Sequence, residues 1–467
     1  MASTTDLHRE KVEAVAAQVR ALAAAGERAH VHKGGVHHFV PLPGDRRFRG
    51  RAVDVSALNA ILEIDPAAQR CTAEPGVPFG VLARATLAHG LLPTVVPELE
   101  GITVGGAVAG CSVESMSWRE GGFHDACLEY ELVTGTGEVR TCTPQDDPLV
   151  FGMLHGSYGT LGVLTRATFR LVPATPYVRL EYRRYADAAR FREAVEARIA
   201  AGDFEFIDGI AHGPDRLVLC LGRFVERAPY TSDYRGRRIY HRSTAERTED
   251  YLTTIDYCFR YDTECHWMTE TVPPLTWAPV RAVVGRWFLG STNLIRWSKA
   301  LEPLLELRRR RPEVVCDYFV PRRRWEELFA WYAGAVDHWP LWVVPYRMPA
   351  PYPWLADRHV ARMGDDLFFD CAVYGRRNDD PRHDVSELLE RKIGELGGIK
   401  TLISRNHYTP EAFWDVYDRG RWETVKARLD PHGVFPGLYE KFHGGRRDSA
   451  APGARPDASR VGGGPRS

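Results

Sequence analysis

The run PELEGITVGGAVAGCSVESMS, residues 97–117, holds the densest chemistry-bearing spacing in the 467-residue chain. Gly101, Gly105, Gly106 and Gly110 recur within ten positions, interleaved with Thr103, Ser112, Ser115 and Ser117. Glycine is placed where the backbone turns with positive φ or where a ligand approaches too closely for a Cβ. Backbone amides alternating with hydroxyls also make a neutral cradle for a diphosphate. From these glycines alone, a turn with a bulge and a diphosphate cradle fit equally.

Other phosphate and metal chemistries are excluded by spacing. There is no G-x-x-x-x-G-K-[ST]; Gly135-Thr136-Gly137 lacks the third glycine of G-x-G-x-x-G and sits in a hairpin turn rather than opening a helix. His37 and His38 are adjacent, have no cysteine partners, and would point to opposite sides of an extended chain, so no zinc or other metal is expected.

The elements that must position this run read as follows. Periodic apolar residues predict a helix over residues 7–25 closed by Gly26, and another over 78–89 closed by Gly90. Residues 52–76 read as strand, short helix, hairpin and strand, and ACLEYELVTGTGEVRTCTP as a β-hairpin about Gly-Thr-Gly-Glu. GTLGVLTRATFRLVP is an alternating strand. After Pro173 and Pro176 the composition shifts toward aromatics and arginine: VRLEYRRY, DRLVLCLGRFV and DLFFDCAVYG predict an antiparallel sheet, WEELFAWYAGAVDHW and DVSELLERKIGEL helices. Residues 444–467, rich in Gly, Arg, Pro and Ser, are expected to be a disordered tail.

Composition narrows the partners. Lys+Arg 61 balance Asp+Glu 61, so the long-range attraction that a polynucleotide needs is missing. The 9 cysteines form no C-x-x-C pair, no signal-like segment opens the chain, and no run approaches a bilayer span; a cytoplasmic setting is expected.

PELEGITVGGAVAGCSVESMSWREGGF together with HGSYGTLGVLTRATFRLVP resembles the FAD-binding domain of the vanillyl-alcohol oxidase/p-cresol methylhydroxylase (PCMH-type) superfamily, and within it the Δ24-sterol reductase branch. ALNAILEID, CTAEPGVPFG, VVCDYFVP, HWPLWVVPYRMP, DLFFDCAVYG and EAFWDVYD are similar to segments of that branch in the same order, so the resemblance spans residues 10–443. It implies an α+β fold: a PCMH-type FAD-binding domain of two subdomains (1–175), an antiparallel-sheet substrate or cap domain with flanking helices (176–400), and a C-terminal segment (401–443) returning to the first.

In the cofactor domain the resemblance implies FAD with its diphosphate against Pro97, Glu98, Gly101, Thr103, Val104, Gly105, Gly106, Gly110, Ser112, Glu114, Ser115 and Ser117, and Gly162 and Val163 at the adenine end. Gly34, Gly35 and His37, in HVHKGGVHHF, stand where many members tether the flavin through a histidine. The leading arginine and spacing of that motif are missing here, so FAD is expected to be non-covalent.

The branch further implies reduction of an isolated C=C bond, with NADPH or NADH as electron donor. Such a bond has no carbonyl to stabilise negative charge and must be protonated by a positioned acid. In IDYCFRYDTECHWMTE the catalytic candidates are Tyr257, Arg260 and His266, and the substrate-binding candidates Tyr261 and Trp267, joined by Asp317; Glu264 is a further polar group there. Arginine far outnumbers lysine and alanine is abundant, a bias of high-GC bacterial genes, where the expected substrate is a 10-methylene-stearoyl chain of a phospholipid, delivered by a partner methyltransferase. A sterol or isoprenoid, an O2-using oxidase of an alcohol or sugar, and a lipid or flavin carrier are the alternatives. Residues 285–297, with Trp287, Phe288, Leu289, Ile295 and Trp297 beside Arg286 and Arg296, could form a peripheral membrane contact or an ordinary helix packing.

Overall fold

Near-continuous apolar runs in the centre and alternating ones toward the edge build, in the second half of the chain, an eight-stranded, wholly antiparallel sheet from strands between residues 177 and 400. The computed structural model that shows this describes residues 3–34, 47–236, 238–271, 273–300, 312–378, 380 and 382–443. Ile207, Leu219, Cys316, Val343, Phe369 and Cys371 point to one face, where the helices Ala188–Ala201, Trp325–Ala335 and Val385–Glu395 cover them. The helix Ala188–Ala201 starts where the Asp187 side chain accepts the Arg190 N–H and ends at Gly202 in the left-handed region (φ 62). The opposite face carries Phe206, Ile210, Val218, Trp342, Val344, Ala372 and Tyr374. It also carries three aspartates.

The first half forms a smaller sheet in the order Ile61–Asp65, Arg70–Ala73, Val163–Pro173, Cys127–Val133, Val139–Cys142, with Leu91–Pro93 paired to Val163–Pro173. The helix Phe79–Leu87 and the short helix Val104–Gly110 pack on it through Phe79, Leu82, Val104 and Val108. Ala29–His32 and Arg51–Asp54 form a separate parallel pair. The short helix expected after residue 54 is absent. Instead the Asp54 carboxylate accepts the Ser56 N–H at 2.9 Å, a local turn that competes with helix, and the chain goes on to Ile61–Asp65.

The C-terminal helices return to the first sheet. Val425 and Leu429 of Arg419–Leu429 are buried in the core of Phe79 and Phe169. Asp430 sits against the hairpin turn, where a Cβ at Gly135 would fall 2.0 Å from its Oδ1, and it accepts the N–H groups of Val434 and Phe435 at 2.9 Å. The Gly-Thr-Gly turn therefore serves this docking. The expected disordered tail, residues 444–467, lies outside the described residues.

Candidate functional site

The glycine-rich run lies between the two sheets. Thr103 starts the helix Val104–Gly110, its Oγ1 accepting the Gly106 N–H at 3.4 Å. The glycines differ in purpose. A Cβ at Gly105 would lie 2.6 Å from Pro75 Cβ, whereas one at Gly110 would meet nothing closer than Tyr158 at 3.9 Å and one at Gly106 only Thr103 Oγ1 at 3.3 Å. Gly106 is exposed and Gly101, Gly110, Cys111, Ser112 and Val113 are half-buried, so an open strip runs along otherwise buried chain. Packing does not require glycine at 110 and constrains 106 only through the Thr103 hydroxyl, so the bare strip leaves room for a ligand to approach the backbone closely. Among the described residues the Gly101 and Thr103 amides have no acceptor within the protein. The run therefore fits the diphosphate of FAD, which Gly101, Thr103, Gly106, Gly110 and Ser112 would hold.

Immediately beyond this strip, charged side chains from both halves meet in a buried seam. Arg260 Nη2 donates to Glu114 Oε1 at 2.7 Å and to Asp208 Oδ2 at 3.2 Å, and its guanidinium lies over the rings of Tyr257 (4.2 Å) and Tyr261 (4.8 Å). Tyr257 Oη and Ser115 Oγ are 2.9 Å apart, and Ser115 in turn bonds the Glu114 carboxylate. His266 Nε2 meets Glu98 Oε1 at 2.5 Å; its ring stacks on Tyr261 (4.9 Å, 18°) and lies against Trp342 and Tyr374. Tyr374 donates to Asp317, whose carboxylate also receives the Thr401 hydroxyl at 3.4 Å.

Local backbone explains how His266 reaches this place. A short helix extends over Thr254–Cys258, then gives way to 3-10 turns, and Cys265, His266 and Trp267 all have positive φ (47, 49 and 44). Three successive non-glycine residues in that region cost on the order of 1–3 kcal/mol each and persist only where surroundings impose them. Two of the three, His266 and Trp267, are candidate site residues.

The seam is also polar beyond its own needs. His266 Nδ1, Trp267 Nε1 and Asp370 Oδ1 are buried and without a hydrogen-bond partner among the described residues. Proton states diverge with environment. Burial pushes Glu98 up, but the charge and hydrogen bond of His266 pull it below the usual carboxylate range. Burial outweighs Arg260 at Glu114 and raises it. Asp317 is pushed up to about 6 by burial and the Glu98 charge, against its hydrogen bond from Tyr374. Burial keeps the Tyr257 hydroxyl protonated far above its ordinary range. Acids poised differently in one buried site are the raw material of proton transfer.

Of the residues singled out by sequence, Glu98, Glu114, Ser115, Tyr257, Arg260, Tyr261, His266, Trp267 and Asp317 converge here. Ser117 supports them by accepting the Glu114 N–H at 2.9 Å. Pro97 and Val104 are buried beside them. Gly162 and Val163 have a packing reason of their own: a Cβ at Gly162 (φ 150) would lie 2.9 Å from the Val133 carbonyl oxygen, and Val163 pairs with Val133. Gly34 has φ 78, with Ser56 close by. Gly35, His37 and His38 lie outside the described residues. Arg260 is committed to Glu114 and Asp208, which makes it a clamp rather than a proton donor. Sequence reasoning missed Asp208, Trp342, Asp370 and Tyr374; the Trp342 indole donates to Asp208 at 2.7 Å. The available signal was a lone aspartate in each of two apolar strands, FIDGIAHG and LFFDCAVYG.

A polar cleft of about 270 Å³ lined by Arg84, Glu100, Arg235, Asp256 and Asp262 reaches Arg260 from outside.

Comparison with known proteins adds the family. Residues 8–143 match the model of an FAD binding domain. The chain is 25% identical over 461 residues to the Delta(24)-sterol reductase of Homo sapiens, covering 95% of this chain and 87% of that protein. It is 23% identical over 448 residues to the Arabidopsis thaliana enzyme of the same name (86% and 78% covered). To cytokinin dehydrogenase 7 of Oryza sativa subsp. japonica it is 32% identical over 439 residues, covering 83% of this chain and 74% of that protein. With an open diphosphate cradle in the matched region and an acid-rich seam beside it, the chain belongs to the FAD-binding, PCMH-type oxidoreductases, in their Δ24-sterol reductase-like branch, and is an FAD-dependent oxidoreductase.

Proposed function

We propose that the protein reduces an isolated carbon–carbon double bond in a lipid, with NADPH or NADH as electron donor, and that its substrate is a phospholipid-borne 10-methylene-stearoyl chain converted to the 10-methylstearoyl (tuberculostearoyl) chain. One observation carries the reading. His266 is buried at the seam with Nε2 held by Glu98 and Nδ1 free of any protein partner among the described residues. In the imidazolium form its Nδ1–H is available to a ligand, and Glu98 stabilises the positive charge. Bound FAD supplies the hydride. Protonating the terminal methylene carbon leaves tertiary positive character on C10 of the chain, which that hydride quenches, so one proton and one hydride account for both new C–H bonds.

The surrounding residues favour an apolar guest. Tyr261, Trp267, Trp342, Val344 and Tyr374 wall the seam and exclude water, strengthening the His266–Glu98 interaction. The relatives named Delta(24)-sterol reductase support the reductive direction, and a sterol or isoprenoid alkene shares the protonation chemistry.

Lipid access has a surface to match. Trp277 and Val283 are 58% and 75% exposed at the helix Ala278–Phe288. Arg281 of the same helix is buried and paired with Glu264 at 2.5 Å, two residues before His266, so one helix joins an apolar outer face to the site wall. Among the described residues no helix is long and apolar enough to cross a membrane. The side chains of Arg286, Trp287, Phe288, Ile295 and Trp297 lie outside the described set. Pelleting with phospholipid vesicles, lost in Trp277→Ser with Val283→Ser, is the expected behaviour; a protein that stays in the supernatant removes the contact.

The deciding experiment is the flavin absorption spectrum under anaerobic NADPH, then with methylene-bearing phospholipid. Bleaching followed by alkene-driven recovery is expected. The relative named cytokinin dehydrogenase favours a second reading, oxidation of a C–H bond with the same groups run in reverse. Failure of the alkene to restore colour, with recovery and H2O2 on admitting air, would establish that one instead.

A further inference from the structure

Three aspartates stand on the inner face of the eight-stranded sheet, and two have obvious partners. Asp208 receives Arg260 and the Trp342 indole; Asp317 receives Tyr374 and Thr401. Asp370 differs. It is 1% exposed, and its Oδ1 has no hydrogen-bond partner among the described residues. Register sets Asp370 opposite Phe319 on one side and Val344 on the other, so its lateral neighbours are apolar. Asp317 lies two residues before Phe319 on the same strand and is thus the diagonal neighbour of Asp370 on the same face. Diagonal residues are about 7 Å apart, close enough for two carboxyls to sense each other's charge and pass a proton directly or across one water.

Among the described residues no cation faces Asp370, and the Tyr318 backbone is the one group that favours its ionised form. From its own strand comes Tyr374, from the strand Val314–Pro321 comes Asp317, and from the glycine-rich run comes Glu98; both carboxylates disfavour its ionisation, after burial itself. A carboxylate without a cation at such a place would cost far more than a neutral acid, so Asp370 retains its proton. Pairs of carboxyls in this relation hold one proton between them.

We propose that Asp370 is a positioning residue that stores a proton: with Asp317 it forms a carboxyl pair beside the Tyr374–His266 contact and refills His266 after each turnover. The inference rests on the proposed reduction and on His266 as the donor. The alkene takes one proton from His266 and one hydride from the reduced cofactor; the neutral imidazole regains a proton from Asp317, which Tyr374 holds beside the ring and which lies close enough to feel the His266 charge, Asp317 regains one from Asp370, and solvent restores Asp370. The two electrons come from the nicotinamide donor, and no other oxidant or reductant enters. Tyr374 is placed for this, with its hydroxyl on Asp317 and its ring centroid 4.6 Å from that of His266.

The test uses the full-length FAD-loaded enzyme and Asp370→Asn, Asp317→Asn, the double variant and Asp370→Glu. Infrared difference spectra between oxidised and dithionite-reduced enzyme should show a protonated-carboxyl band that Asp370→Asn removes or shifts. In alkene-driven turnover, Asp370→Asn should slow the steady-state rate on the order of 10²-fold and move the alkaline fall of the pH profile to lower pH, because Asp317 alone loses its proton earlier. Asp317→Asn should give the same shift, the double variant no more than either single one, and Asp370→Glu partial recovery. An Asp370→Asn enzyme with unchanged carboxyl band and pH profile overturns the inference, as do fully additive effects of the two substitutions. If Asp370→Asn does not fold, the Asp317→Asn spectrum and profile decide alone: no change in either overturns it. If wild-type enzyme is not reoxidised by alkene, the proposed reduction fails, while the infrared arm still tests the carboxyl pair.

Discussion

Two buried histidines in this molecule each grip carboxylates, and they could hardly be used more differently. His8, on the helix Thr4–Ala25, meets Glu74 and Glu131 through its two ring nitrogens at 2.9 Å each. Glu74 also receives Lys11 at 2.9 Å and the Ala60 N–H at 2.7 Å, while Glu131 receives Thr165 at 2.8 Å. Burial pulls the His8 pKa down, but the bonds to both carboxylates outweigh it and raise it to about 9; both glutamates are held below their usual range. Around His266 the opposite holds: one ring nitrogen is open, Asp317 and Asp370 are pushed up, and the backbone is strained. A buried histidine–carboxylate pair is thus no sign of function by itself. Unfilled hydrogen-bonding capacity, acids kept from ionising, and stored strain set the His266 cluster, the proposed site, apart from the fastening one.

Exchanging each histidine for glutamine should separate the two roles. His266→Gln keeps a donor for Glu98 but cannot carry a proton, so alkene-driven flavin reoxidation should fall by about 10²–10⁴-fold while NADPH reduction of the flavin persists. Stopped-flow absorbance measures both half-reactions, and a His266→Gln enzyme that reoxidises at the wild-type rate would leave the proton donor elsewhere. His8→Gln leaves Glu74, fully buried, with a broken partnership. It should lose about 3 kcal/mol in urea unfolding, with turnover per bound FAD unchanged.

The same contrast has a pH signature. The folded-state pKa of His8, about 9, lies above its ordinary 6.5, so its stabilisation is complete below 6.5 and disappears as pH rises through 9. Asp317 is an acid whose folded pKa, about 6, lies above the ordinary 3.8; the folded chain holds a proton that the unfolded one has released. Stability therefore declines as pH climbs from 3.8 to about 6, by about 3 kcal/mol, and does not recover above. Urea midpoints across this range should show His8→Gln flattening only the alkaline slope and Asp317→Asn only the acid one. A slope that survives its own substitution would detach it from that cluster.

Much of this arrangement could be read from residue order. The continuous apolar run in RLVLCLGRFV and the closing glycines 26 and 90 mark elements by local rules, and local rules were enough. The glycine-rich run and the aromatic stretch 255–270 also stood out by composition. What sequence could not convey was pairing at a distance. Glu98 reads as part of the cofactor run, yet its partner is His266, 168 residues away. Asp370 reads as one polar letter in a buried strand, and only the register against Phe319 and Val344 shows that its lateral neighbours are apolar. The backbone at 265–267 is hidden for a related reason: tertiary contacts hold Cys265, His266 and Trp267 in a conformation that local propensity disfavours.

The smallest expected effect carries the comparison into the backbone, where Gly105 and Gly110 stand as the closed and the open case. A Cβ at Gly105 would press into Pro75 at 2.6 Å, partly against the backbone that receives its N–H, so Gly105→Ala should destabilise the apoprotein by about 1–3 kcal/mol. At Gly110 the same methyl meets only Tyr158 at 3.9 Å, and alanine is the better helix residue, so Gly110→Ala should leave apoprotein stability within about 1 kcal/mol of wild type or raise it. The methyl would nevertheless project into the strip where the diphosphate lies, and FAD should then be retained several-fold less tightly. Flavin release on dilution, followed by fluorescence, measures this directly. Equal FAD retention in Gly110→Ala and wild type would mean that the open strip is not where the cofactor lies, and the cradle would have to be sought on the other side of the run.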